Sequence, residues 1–153
     1  IAINDFQENN TATIEISSAS LGDYEFSLDG VNYQDSNIFN NLNAGEYTVY
    51  VQDKKGCGIV FETFYILDYP KYFTPNGDGY NDTWFIKNLD KRNLENSVIT
   101  VFDRYGKLLK QISGVSEGWN GTFNGNLLPG SDYWFEIKLT NGKSVKGHFT
   151  LKR

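Results

Sequence analysis

The sequence has one cysteine, one histidine and no methionine in 153 residues, and each scarcity closes off a class of explanation. A lone Cys57 cannot form an internal disulfide, so no cross-linked framework holds the fold and cysteine usage is silent on redox compartment. Its side chain reads as small apolar packing beside a strand rather than as a reactive or intermolecular thiol. The lone His148 has no Ser, Cys or carboxylate near it in sequence to complete a nucleophile, base and orienter set, and reads as an ordinary surface residue. Without methionine, and opening at Ile1, the chain reads as a fragment or a processed end. No apolar run approaches the ~20 residues of a membrane helix, and no basic-then-apolar leader opens the chain. Basic residues are in the minority, 14 Lys and Arg against 19 Asp and Glu, for a formal net charge of -5. Nucleic-acid affinity rests mainly on clustered Lys and Arg, so no nucleic-acid partner is expected.

Aromatic and turn-forming residues are plentiful. There are 10 Tyr, 11 Phe, 3 Trp and 15 Gly, with many Thr and Val and no long Ala/Leu/Glu/Lys stretch, which favours strands and tight turns. The first half reads as short strands: Thr11 to Ser17, then Tyr24 to Leu28, a two-residue hairpin turn at Asp29-Gly30, and Val31 to Gln34 returning. Glu46 to Asp53 alternates Tyr47, Val49 and Val51 with Thr48, Tyr50 and Gln52, and Ile59 to Leu67 follows after Lys54-Lys55-Gly56. Asp68-Tyr69-Pro70 ends this rhythm and places a domain boundary near residue 70. Beyond it, strands are expected at Trp84 to Lys87, Val98 to Asp103, Lys107 to Ile112, Tyr133 to Leu139 and Ser144 to Leu151, with Asn141-Gly142 joining the last two. In that final hairpin Tyr133, Phe135, Ile137 and Leu139 share one face, as do Val145, Phe149 and Leu151. Trp134, Lys146 and His148 fall on the other. The expected fold is all-β, two small antiparallel β-sandwich, immunoglobulin-like domains in tandem over residues 1–69 and 70–153.

Catalysis has no sequence support. Asp78 and Asp82 have the residue types of a glycosidase acid and base, but that chemistry needs a cleft and one raised pKa, and a solvated loop supplies neither. No GxGxxG, P-loop, HExxH or CxxC arrangement occurs. The segment that stands out is Phe73-Thr74-Pro75-Asn76-Gly77-Asp78-Gly79-Tyr80-Asn81-Asp82-Thr83-Trp84. Asn76, Asp78, Asn81 and Asp82 are hard oxygen donors, and Gly77 and Gly79 permit left-handed turns that would wrap them around Ca²⁺. It is not an EF-hand, because the positions that would need a first carboxylate and a closing Glu are Thr74 and Phe85. The other reading is an Asx-turn loop in which the same side chains bond neighbouring backbone N–H groups.

Residues 73–84 resemble the FxPNGDGxND signature of the gliding motility-associated C-terminal domain, the type B sorting domain of the type IX secretion system. Val101-Phe102-Asp103-Arg104-Tyr105-Gly106 is similar to its strand ending in (N/D)-R-(W/Y)-G, Gly118-Trp119-Asn120-Gly121-Thr122 to its W-(D/N)-G turn, and Gly147 to Arg153 to its last strand. The family's P-x-G-x-Y appears here as Pro129-Gly130-Ser131-Asp132-Tyr133, a departure that bears on the turn type. Tyr24 to Gly30 and Ala44 to Val49 more loosely resemble short immunoglobulin-like repeats that precede this domain in large surface adhesins.

The resemblance implies a C-terminal secretion signal rather than an enzyme. It would direct a gliding-type bacterium's adhesin through the type IX translocon to the outer face of the outer membrane, with an outer-membrane β-barrel shuttle protein as receptor. Arg104, Trp134, Lys146, His148, Lys152 and Arg153 are the candidate recognition residues. Arg104 has a plainer reading as an ion-pair partner of Asp103, Asp90 or the acidic loop. Phe73, Pro75, Gly77, Gly79, Gly106, Trp119 and Gly121 are expected to shape the motifs, Trp119 as a core anchor. No cofactor is required, though the Asn/Asp loop leaves Ca²⁺ open. The alternative is a calcium-dependent adhesive or glycan-binding module, in which Tyr80 and Trp84 would flank an open coordination position.

Overall fold

A computed structural model describes residues 1–17, 22–56, 58–114 and 116–153, so Cys57 lies outside the described residues. Among the described residues the structure is all-β apart from one short 3-10 turn at Asp90–Arg92, and the chain divides into two compact units, Ile1–Asp68 and Tyr69–Arg153.

In the first unit, β1 (Ala2–Asn4), β2 (Asn10–Thr13) and β4 (Ile38–Leu42) form one three-stranded sheet in the order β1-β2-β4. A second sheet has the order β3-β5-β6, from β3 (Tyr24–Ser27), β5 (Gly45–Asp53) and β6 (Ile59–Ile66). Every pairing is antiparallel. Ala12 from the first sheet and Ile14 just beyond the end of β2 meet Phe26, Val49, Val51 and Phe64 from the second sheet in one apolar cluster, which makes the unit a small sandwich. The period-2 alternation of β5 carries Val49 and Val51 inward, and Tyr47, opposite Phe64 in the register, stacks on it at 5.6 Å.

The expected two-residue turn at Asp29-Gly30 is not what forms. Asp29 Oδ1 accepts the N–H groups of Asn32 (2.7 Å) and Val31 (2.8 Å), and its Oδ2 accepts the Asn32 amide at 2.6 Å. Donation first from the Asn32 backbone, then from its side chain, Val31 and Ser27, holds this carboxyl well below the usual range. The side chain thus organises a longer loop, and the expected return strand from Val31 shrinks to one bridge between Phe26 and Gln34.

The second unit is built on a five-stranded sheet in the order β7-β13-β12-β8-β9. Its strands are β7 (Tyr72–Phe73), β8 (Val98–Phe102), β9 (Leu108–Ser113), β12 (Ser131–Lys138) and β13 (Ser144–Leu151), with a separate ribbon of β10 (Thr122–Phe123) and β11 (Asn126–Leu127). β12 and β13 pair from Ser131 opposite Leu151 to Lys138 opposite Ser144, and the Asn141-Gly142 turn closes with Gly142 at φ 89°. One pairing departs from the antiparallel expectation: β7 lies parallel to β13, with Phe73 opposite Leu151.

One face of this sheet is the core of the unit. Tyr133, Phe135, Ile137 and Leu139 are buried with Phe149 and Leu151, as the alternation requires. Trp84 stacks on Phe149 with ring centroids 4.0 Å apart, and Trp119 meets Tyr133 edge-on at 5.2 Å. The backbones of the two tryptophans exchange N–H···O bonds of 2.9 Å each way. This single bridge replaces the strand expected at Trp84 to Lys87, because Asn88 at φ 66° turns the chain toward the 3-10 segment. Fully buried Trp84, Trp119, Phe73, Phe135 and Phe149 each contribute roughly 2–3 kcal/mol of burial, which a unit this small needs.

Candidate recognition site

Three loops of the second unit are fixed by backbone requirements. The Asn/Gly loop leaves the core at Phe73 and re-enters at Trp84, both fully buried. Between them Gly77, Gly79 and Asn81 sit at φ 79°, 87° and 51°. Asp82 faces the loop interior: one carboxylate oxygen accepts Gly77 N–H and the other Gly79 N–H, each at 2.7 Å. These bonds, Gly77's the strongest, lower the Asp82 pKa. Asp78 accepts Tyr80 N–H at 2.8 Å and the Asn76 amide at 2.9 Å, while Asn76 Oδ1 accepts Asp78 N–H at 3.0 Å. A lowered carboxyl is the opposite of what a general acid requires.

The same geometry bears on the metal and sugar readings. Asn76, Asp78, Asn81 and Asp82 are gathered in one loop, but the carboxylates point at N–H donors, so a cation at those oxygens would displace these bonds. Among the described residues, no group of three or more His, Cys, Asp or Glu is arranged to hold a metal ion. Tyr80 is 77% exposed, whereas Trp84, expected as an open sugar platform, is 0% exposed. The correction has a plain cause: Trp84 fills the core against Phe149, and its indole N–H is satisfied by Pro70 O at 2.9 Å.

The Asp103-Arg104-Tyr105-Gly106 turn joins β8 to β9. Asp103 Oδ1 accepts the N–H groups of Tyr105 (2.8 Å) and Lys107 (2.9 Å), and Gly106 takes φ 81°. In the Gly118-Trp119-Asn120-Gly121 turn, a Cβ on Gly118 would lie 2.8 Å from the Trp84 carbonyl oxygen, and one on Gly121 would run into Leu151. Trp119 is the core anchor expected, its indole N–H donating to Thr122 O at 2.9 Å.

The outer face of the five-stranded sheet brings four of the six candidate recognition residues together. Arg104, Trp134, Lys146 and His148 line an open groove of ≈ 600 Å³ floored by Phe102 and Glu136. Trp134 on β12 lies between His148 on β13 and Phe102 on β8 in the register, stands 6.4 Å from the His148 ring and is 40% exposed. Lys146 Nζ is 3.8 Å from Glu136, opposite it across the pair. The Arg104 guanidinium lies 5.5 Å from the Tyr105 ring centre, and no ion pair to it forms among the described residues, so the expected pairing with Asp103 or Asp90 is not made. Gly147, between the two outward side chains of β13, is required by the opposite face: a Cβ there would be 2.7 Å from the Phe135 ring.

Lys152 and Arg153 are placed elsewhere. Lys152 Nζ rests 4.1 Å from the Tyr72 ring centre, while Arg153 donates to Leu128 O at 2.8 Å and Gly121 O at 3.2 Å. Arg153 therefore ties the last strand to the turn before β10. Phe102 and Glu136, which complete the groove, were absent from the sequence-based candidates, although Glu136 and Phe102 follow from the same alternation that exposes Trp134.

The class of this unit, a sheet with one face buried and tight side-chain-capped turns, comes from the sequence comparison. Residues 67–151 match the CHU_C type IX secretion signal domain family. The match spans more than half of the chain, which belongs to that family. The family is a secretion signal domain rather than a catalytic one, so the chain carries a sorting signal for export toward the cell surface through the type IX machinery. No described helix is long and apolar enough to cross a membrane.

A search of curated proteins gives no match. Among solved structures, the chain is similar to Tp47, the 47-kilodalton lipoprotein of Treponema pallidum, at 12% identity and TM-score 0.37, covering 93% of this chain and 46% of that one. A biofilm associated protein BSP domain gives 13% identity and TM-score 0.34, covering 95% and 27% respectively. Bacteroides ovatus SGBP-B, in complex with a mixed-linkage heptasaccharide, gives 11% identity and TM-score 0.28, covering 97% and 42%. The chain thus spans less than half the length of each.

Proposed function

We propose that Tyr69–Arg153 is the address by which a surface adhesin is exported, read by an outer-membrane β-barrel shuttle protein after passage through the type IX translocon. Ile1–Asp68 is then an immunoglobulin-like repeat domain of the exported part. The observation that carries this reading is the coincidence of the family match, residues 67–151, with a compact unit that has its own core. A folded signal offers a receptor a fixed surface, and the open face with Arg104, Trp134, Lys146 and His148 is the part of it suited to docking.

The test is fusion of the whole chain to a soluble passenger in a gliding bacterium that has this secretion system. Surface display of the passenger is expected, with loss of display when residues 69–153 are removed and capture of a barrel protein from outer membranes by the intact chain. A passenger left in the periplasm by the intact chain would refute the sorting role, and display without any barrel capture would refute the shuttle step.

A further inference from the structure

An Asn-Gly step is open to attack on the Asn side chain by the glycine nitrogen, because glycine has no side chain to obstruct the close approach. The sequence holds four such steps, Asn76-Gly77, Asn120-Gly121, Asn124-Gly125 and Asn141-Gly142, all in Tyr69–Arg153. Three of them are held by the fold. Asn76 donates its amide to Asp78 at 2.9 Å and accepts Asp78 N–H at 3.0 Å, while Gly77 N–H is committed to Asp82 at 2.7 Å. Asn141 Oδ1 accepts Lys143 N–H at 3.1 Å, and Gly142 N–H donates to Leu139 O at 2.9 Å. Asn120 Oδ1 accepts the Thr122 hydroxyl at 2.7 Å, and Gly121 is buried against Leu151, which leaves its backbone no room to turn.

Asn124-Gly125 is different. It is the two-residue tip of the β10–β11 ribbon, with φ 50° and 79°, the paired positive values of a type I′ turn. Both residues are exposed, and a Cβ on Gly125 would meet nothing within 4 Å. Neither the Asn124 side chain nor Gly125 N–H has a hydrogen-bond partner among the described residues, and the Asn126 amide reaches only the Asn124 backbone carbonyl, at 3.3 Å.

We propose that Asn124 is a self-modification site, deamidating through a cyclic imide. The Gly125 nitrogen gives its proton to solvent and attacks Asn124 Cγ; the new N–Cγ bond forms, the Cγ–Nδ2 bond breaks, and the amide leaves as ammonia. Water then opens the imide at either carbonyl, giving aspartate or isoaspartate, with no oxidant or reductant needed. Isoaspartate routes the backbone through the former side chain, one methylene longer, which the two-residue turn cannot absorb. The ribbon has only two residue pairs, Thr122 with Leu127 and Phe123 with Asn126, so it has no length in reserve. Its flanking carbonyls, Gly121 O and Leu128 O, are the two that hold the Arg153 guanidinium, at 3.2 and 2.8 Å. Modification at the ribbon tip therefore loosens the anchor of the chain's last residue.

The test ages the isotope-labelled full chain in warm, mildly alkaline buffer and follows each Asn-Gly step by peptide mapping with mass spectrometry. A hydrogen bond that must break before attack slows the step about 5-fold, so Asn124 should convert about 5-fold or more faster than each of the other three. In the urea-unfolded chain, where those bonds are gone, the four rates should converge to within about 3-fold. The Arg153 Nε–H resonance, held by Leu128 O in the fresh protein, should move toward its solvent-exposed position in step with isoaspartate at 124. Asn124→Gly, which suits the same turn, should keep that resonance unchanged through ageing. Conversion at Asn76, Asn120 or Asn141 as fast as at Asn124 in the folded chain, or the same ranking in urea, would overturn the assignment of the site. An Arg153 signal that stays put while isoaspartate accumulates at 124 would overturn the coupling to the anchor.

Discussion

Replacing Trp84 is the sharpest probe of how the second unit is held. Its indole is 0% exposed, stacks on Phe149 at 4.0 Å and 14°, lies 5.0 Å from the Phe135 ring, and donates its N–H to Pro70 O at 2.9 Å. Trp84→Ala removes the transfer energy of the ring and leaves a cavity that the surrounding aromatics cannot close, a loss of about 3–5 kcal/mol. A unit of this size holds a net stability of only about 4–13 kcal/mol at roughly 0.05–0.15 kcal/mol per residue. With each kcal/mol moving the midpoint about 4–8 °C in a domain this small, the transition should fall by at least about 12 °C. Trp84→Phe keeps an aromatic on Phe149 but leaves the Pro70 carbonyl without its donor, for a cost of about 1–3 kcal/mol. Tryptophan fluorescence is the natural assay, because Trp84, Trp119 and Trp134 all belong to Tyr69–Arg153 and the first unit has none. A loss below about 1 kcal/mol for the alanine variant, or equal losses for the two variants, would refute the stacked-core account.

Gly118→Ala combines φ 89° with a Cβ 2.8 Å from the Trp84 carbonyl and should cost about 2–4 kcal/mol in urea unfolding. Gly106→Ala, at φ 81° with nothing within 4 Å of its Cβ, should cost only about 1–2 kcal/mol. Equal costs would mean that backbone conformation alone matters. Asp82, depressed by the Gly77 and Gly79 N–H groups, stabilises its loop fully above the ordinary carboxyl value of 3.8 and loses that contribution as pH falls through the lower folded value. Carbon-detected NMR should therefore place its titration below 3.8, with Gly77 and Gly79 amides losing protection only in that acid range. An Asp82 midpoint at or above the ordinary value would contradict the hydrogen-bond assignment. Addition of millimolar Ca²⁺, or of a chelator, is expected to leave the melting temperature and the Gly77 and Gly79 amide shifts unchanged, because the Asp82 oxygens already serve those donors. Saturable Ca²⁺-induced shifts in this loop would instead establish the ion site.

The β12–β13 hairpin was legible because strict alternation over eight residues per strand leaves one register in which Tyr133, Phe135 and Phe149 share the buried face. Short-range signals misled where a side chain competes with the turn. Asp29-Gly30 has the composition of a two-residue hairpin, but Ser27 and Asn32, two and three residues away, give the Asp29 carboxylate better partners than a tight turn would. The parallel β7–β13 pairing was invisible because two residues, Tyr72 and Phe73, carry no periodicity and their partner is almost eighty positions away. Trp84 was misplaced for a related reason: its setting in a polar, glycine-rich segment argues for exposure, and only the fold reveals that the loop's two aromatic ends, Phe73 and Trp84, both enter the core. The charge difference between the units, a net of -9 on Ile1–Asp68 (2 Lys against 11 Asp and Glu) and +4 on Tyr69–Arg153 (12 Lys and Arg against 8 Asp and Glu), partly cancels in the whole-chain value of -5.

The motif residues and the groove residues answer to different constraints. Phe73, Trp84 and Trp119 are buried; Gly77, Gly79, Gly106 and Gly121 hold positive φ; Asp82 and Asp103 bind backbone N–H groups. These residues shape the core and the turns, and of them only Asp103 puts a side chain on the groove. Arg104 alone among the groove cations belongs to a motif, and there the turn is made by Asp103 and Gly106 on either side of it, so its own side chain is free to point outward. The motifs therefore identify the scaffold and the secretion route, and on the proposed reading the choice of partner falls to the outward positions of β12 and β13. Exchanging Trp134, Lys146 and His148 as a set should then leave the unfolding transition within about 1 kcal/mol of the original while changing what the domain binds. A large loss of stability from that exchange would show that the outer face is part of the folding prescription after all.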